Sequence, residues 1–166
     1  MPTMEEVAKQ PLEQRLGRMV RTADDLAAAI HGQREAALVR RPDAKSWAAK
    51  EVICHLRDTE ELFMARFDMI ATREEPKFPA LDPAIPDRWA EDRQYLRNEA
   101  TEALAAFRRR REESLVHLRS LTPEEWQRGG LHPARGRMAV GDFVTLMAWH
   151  DDNHLDQLRR ALDGKV

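Results

Sequence analysis

Apolar residues spaced three and four apart recur in four long stretches of this 166-residue sequence, and proline keeps the stretches separate. That spacing puts apolar side chains on one face of a helix. Each such helix has to bury its stripe against the others, which is what a four-helix bundle does. The first stretch runs from about Met4 or Leu12 to Val39, with Leu12, Leu16, Met19, Val20, Ala23, Leu26 and Ile30 in one stripe, and Pro42 ends it. The second runs from about Ser46–Ala48 to Thr72, with Val52, His55, Leu56, Thr59, Leu62, Phe63, Arg66 and Ile70 on one side. Residues 73–88 contain Pro76, Pro79, Pro83 and Pro86, which forbid a helix interior and predict a long, stiff crossover. The third helix is expected over about Asp87–Arg119, and Thr122-Pro123-Glu124-Glu125 reads as a capped helical turn. Glycine-rich residues 128–141 read as a loop, and the last helix is expected over about Val140–Leu162. The spacing predicts one all-α domain over residues 1–166.

Composition narrows the partners. Strong helix formers dominate, and β-branched residues are sparse. Formal net charge is −2, from 27 basic and 29 acidic residues, without the basic excess that tracks nucleic acid. The run Arg108–Arg111 is followed at once by Glu112-Glu113, which reads as a solvated helix face. A single cysteine, Cys54, allows no internal disulfide and fits a reducing compartment. No apolar run approaches the roughly 20 residues that span a bilayer, and charged Glu5, Glu6 and Lys9 leave no signal-peptide apolar region. A cytoplasmic protein without membrane or nucleic-acid contact is expected.

Two histidines in the last helix, His150 and His154, are four apart and share the face carrying Phe143, Met147 and Leu158. Each imidazole costs of order 1–3 kcal/mol if buried without a partner. A shared metal satisfies both, because neutral imidazole binds Zn, Ni, Cu and Fe. His55 points inward from the second helix and completes a set of three. Three protein ligands leave an open position, the arrangement of catalytic rather than structural metals.

The sequence resembles the DinB-like superfamily, which includes YfiT-type metal-dependent hydrolases and bacterial thiol-dependent transferases. One block is Arg41-Pro42, Ser46-Trp47 and Glu51-Val52-Ile53-Cys54-His55-Leu56; the other is Trp149-His150-Asp151-Asp152-Asn153-His154-Leu155-Asp156-Gln157-Leu158. The resemblance implies an up-down four-helix bundle, often dimeric, with nickel or zinc on His55, His150 and His154. The family usually has Ser after the Trp, able to cap the second helix; here that position is Ala48.

Several neighbours have candidate roles at such a centre. Asp58 reads first as a solvent-exposed acid; orienting a ligand or accepting a proton is its functional alternative. Asp151 adjoins His150, yet adjacent helical residues do not face each other. Asn153 and Gln157 are candidate polar walls, Cys54 lies about 100° away from His55 around the helix, and His132 precedes the last helix from a loop. The four tryptophans read as packing anchors. The leading expectation is a divalent-metal enzyme acting on a small molecule, by hydrolysis or by transfer of a low-molecular-weight thiol. The alternative is a non-catalytic metal-binding or stress-response protein.

Overall fold

The computed structural model describes residues 2–166. Among the described residues eight α-helices form in order: α1 (Met4–Ala8), α2 (Leu12–Ile30), α3 (Glu35–Leu38), α4 (Ala49–Thr72), α5 (Ile85–Asp92), α6 (Ala100–Ser120), α7 (Pro123–Gln127) and α8 (Val140–Leu162). The long ones, α2, α4, α6 and α8, make the bundle that the apolar spacing requires. Their directions follow from side-chain pairs. Arg15 meets Thr145 and Thr22 meets Asp151, so α2 and α8 run parallel. Arg57 meets Asn98 ahead of α6, and Glu60 meets Arg111 and Ser114 within it, so α4 and α6 are also parallel. The two pairs oppose each other, as Met19 and Asp24 of α2 bind Arg111 and Arg108 of α6. Only a long return segment allows α6 to run alongside α4 in the same direction, and the proline-rich crossover supplies it.

The expected third helix is interrupted. After α5 the chain turns at Gln94, whose φ of 49° is left-handed, passes one 3-10 turn at Tyr95–Arg97, and restarts at Ala100. The expected loop at 128–141 contains a short antiparallel hairpin, β1 (Gly129–His132) and β2 (Gly136–Ala139). The crossover pairs with β1: the Phe78 N–H donates to Leu131 O, and the Leu131 N–H donates to Pro76 O, at 3.0 and 2.8 Å. Gly130 makes this approach feasible, because a Cβ there would stand 2.5 Å from Pro76 O and 2.7 Å from the Phe78 ring. No helix among the described residues is long and apolar enough to cross a membrane.

The core has two apolar clusters with a polar layer between them. Val52, Leu56, Phe107, Leu155 and Leu158 belong to one cluster; Phe63, Phe67, Leu118, Phe143 and Met147 belong to the other. Each large side chain removed from water contributes about 1.5–3 kcal/mol. Between the clusters all four long helices contribute buried polar residues: Thr22, Glu60, Arg111 with Ser114, and Asp151. The Arg111 guanidinium donates to both Glu60 oxygens at 3.0 and 2.8 Å, to both Asp151 oxygens and to the Met19 carbonyl. Arg111 is therefore no part of a solvated face, and Asp151 is fully buried. Burial opposes the Arg111 charge, but the two carboxylates outweigh it and hold the guanidinium protonated.

Candidate metal centre

The second residue in the α4 stripe that demands a partner is His55, and the first turn of α4 fixes where it points. Ala48, at the N-cap, has no side-chain acceptor, so the cap comes from the other direction. Glu51 accepts from the Ala48 N–H at 2.9 Å and is held by a two-pronged pair with Arg41. One turn further on, His55 projects between α4 and α8 with only 7% of its surface exposed. His150 and His154 face it from consecutive turns of α8, both half-buried.

The structure brings the three expected histidines together. His55 Nε2 and His150 Nε2 are 3.1 Å apart, and the ring centroids of His154 lie 4.5 Å from His55 and 4.3 Å from His150. One donor nitrogen from each residue falls within 4.8 Å of the others. Nitrogens sharing an ion at about 2.1 Å in tetrahedral geometry stand roughly 3.4 Å apart, so the three rings need only small adjustments. A single N–H···N bond could satisfy His55 and His150, but it would leave the inward nitrogen of His154 without a partner.

The surroundings suit neutral donor imidazoles. Burial lowers all three: His55 to about 3, with His154 adding to the effect, and His150 well below the usual value. His154 is lowered by burial, partly offset by its bond to Gln157. That bond, Nδ1 to Gln157 Oε1 at 2.7 Å, makes Nδ1 the protonated nitrogen and leaves Nε2 as the free donor toward the cluster. Thr59 Oγ1 lies 3.4 Å from His55 Nδ1. Asn153 instead donates to its own helix, at Trp149 O.

Other expected residues are placed elsewhere. Asp58 is buried rather than exposed, and it accepts from Arg57, Arg93, Tyr95 and Arg110, with none of the three histidines among its partners. Burial would raise its carboxyl, but the hydrogen bonds from Arg57, Tyr95 and Arg93 bring it down to about 2. Cys54 is buried away from the rings, and burial pushes its thiol up to about 11, which leaves it unreactive. His132 is half-buried on β1, its Nδ1 accepting from the Ala134 N–H.

Trp47, read from the sequence as a packing anchor, stands beside the histidines. Its ring lies 4.8 Å from His55 and 6.3 Å from His154, and its Nε1 donates to Asp87 of α5 at 3.0 Å. The indole thus covers one side of the histidines and ties the entry of α4 to the crossover. Its position directly before the α4 N-cap was the available signal, since side chains there fold back over the first turns.

A bundle with three inward imidazoles on two of its helices defines a helical protein with a candidate three-histidine metal centre. The chain belongs to the DinB superfamily, whose sequence profile matches residues 18–158. It is similar to two Oceanobacillus iheyensis proteins. It is 32% identical to "Putative metal-dependent hydrolase OB0782" over 66% of this chain and 61% of that one. It is 28% identical to "Putative metal-dependent hydrolase OB0413" over 72% of this chain and 66% of that one. The chain thus spans less than two thirds of the length of these relatives. YfiT from Bacillus subtilis, described as "a probable metal-dependent hydrolase with an unusual four-helix bundle topology", shares the fold. Its TM-score is 0.81 at 19% identity, over 97% of this chain and 88% of that one.

Proposed function

We propose that this protein is a divalent-metal-dependent enzyme, with His55, His150 and His154 as the ligands and the 1–166 span acting as one domain. The observation that carries the reading is the convergence of three imidazole donors, His55 buried and His150 and His154 half-buried, within 4.8 Å of one another, with His154 oriented by Gln157. A divalent ion held there by His55, His150 and His154, nickel or zinc, would lower the pKa of a bound water or thiol and so would supply a nucleophile near neutral pH. Trp47 restricts water on one side of the rings, and Gln157 holds a proton on His154 Nδ1. Hydrolysis of a small molecule is the favoured reaction, in keeping with the names of the relatives. Transfer of a low-molecular-weight thiol uses the same donor set and is the second reading.

The test is metal content by mass spectrometry, on untagged wild type and on His150→Ala. Near-stoichiometric nickel or zinc in the wild type, lost in the variant, supports the centre. Wild type that takes up neither metal after incubation with both overturns it. A panel of esters and amides, run beside electrophiles with and without added thiols, then separates the two reactions.

A further inference from the structure

Arg66 stands on the α4 stripe among residues that pack inward, eleven positions after His55. Eleven residues are close to three full turns, so the two side chains leave the same face of α4, about 16 Å apart along the axis. The guanidinium of Arg66 lies 5.9 Å from the Phe63 ring and 5.7 Å from the Phe143 ring. Phe63 also neighbours His150, 6.1 Å away between ring centroids. Phe63 therefore links the guanidinium to the histidine cluster, and at most about 12 Å separate Arg66 from the His150 ring.

Among the described residues Arg66 makes no hydrogen bond and no ion pair, whereas nearly every other half-buried arginine here has a carboxylate or carbonyl partner. Its charged neighbours are of the same kind. Arg135, exposed on the hairpin turn, has its one side-chain hydrogen bond among the described residues with the Met4 sulfur, and half-buried His132 at the end of β1 feels the charge of both arginines. Burial and the Arg135 charge lower Arg66, and burial with both arginines lowers His132. Two arginine charges near each other without a counter-charge destabilise the free protein, and an arriving anion relieves them.

We infer that Arg66, supported by Arg135 and His132, is the subsite for a carboxylate on the substrate, whose reacting end sits at the three histidines. The inference rests on the metal-enzyme reading for what lies at the other end. The planar guanidinium fork matches a carboxylate in two parallel bonds, and the flanking Phe63 and Phe143 rings strengthen them by excluding water. The substrate class is then a small acid with its labile group roughly 12 Å or less from the carboxylate.

Two measurements test this. Metal-free protein is titrated with glutarate while the Arg66 Nε–H is followed by NMR, with sodium chloride at equal ionic strength as control. The expected result is a saturable shift with glutarate alone, lost in Arg66→Met and weakened in Arg66→Lys, which keeps charge without the fork. A shift no larger than that with chloride overturns the subsite. Zinc-loaded protein is then titrated with suberic acid monohydroxamate, which carries a metal-seeking group and a carboxylate at opposite ends, and with its terminal primary amide. Wild type should prefer the acid by roughly tenfold, the order of one charge-assisted pair, and Arg66→Met should bind both alike. Equal binding by wild type overturns the inference. Failure to load zinc would instead remove the metal reading, and the glutarate result would still decide the subsite.

Discussion

The hydrogen bond from His154 to Gln157 decides which nitrogen of that ring faces its neighbours. Gln157→Leu should keep the helix intact yet weaken zinc affinity by roughly 10–100-fold, as removal of such orienting partners does. Competition titration against a zinc chelator reads this; unchanged affinity would mean that the bond orients nothing. Asp58 makes a prediction with a defined sign. Its folded pKa of about 2 lies below the ordinary value of about 3.9, so its contribution is complete above pH 4 and disappears as pH falls toward 2. Asp58→Asn should cost roughly 2–3 kcal/mol at pH 7 and flatten that acid limb of the stability curve, measured by urea unfolding at several pH values. The histidines were legible as residues because their spacing alone puts them on inward faces. Arg111 was misjudged from its charge, although the spacing Phe107, Arg111, Leu115, Leu118 already placed it on a buried stripe, as the spacing Val144, Met147, Asp151, Leu155, Leu158 places Asp151.

Among the elements, α4 starts without a side-chain acceptor at its N-cap, as α8 does at Ala139. Ala48 has the extended backbone of an N-cap, with φ −71° and ψ 160°, and Glu51 returns to its N–H, but no side chain there accepts from the Glu51 N–H. Ala48→Ser should supply that acceptor and stabilise the protein by about 0.5–1 kcal/mol, seen as a higher midpoint in urea. A loss would show that the fully buried site has no room for the hydroxyl. The long helices were legible because their stripes persist over five turns or more. The break at Gln94 was not, since no proline or glycine marks it and Trp89, Tyr95 and Leu96 sustain a helical pattern across it. The hairpin escaped for the opposite reason: four-residue strands opening on Gly129 and Gly136 carry too little alternation to be seen, and pairing with the crossover is what fixes them.

For the whole molecule, the polar layer is the part most sensitive to a single change. Arg111→Met would leave Glu60 and Asp151 buried without their shared counter-charge, at an expected cost of about 3–5 kcal/mol. Replacing Arg111, Glu60 and Asp151 together by apolar residues of similar size should recover most of that loss. If the single variant proves as stable as wild type by urea unfolding, the layer is not held by charge pairing. Four-helix packing was readable from the stripes and the proline positions. The parallel pairing of α4 with α6 was not, because helix direction depends on which faces meet across the bundle, and a long crossover permits more than one answer. The placement of α8 beside α2 carries a further consequence, in the time order of biosynthesis. Two of the three imidazoles lie on α8, which leaves the ribosome after α2, α4 and α6, and its partner contacts, such as Thr22 with Asp151, join residues 129 positions apart. The centre therefore cannot exist on a nascent chain that ends before α8, and any ion must be acquired after that helix has emerged and docked.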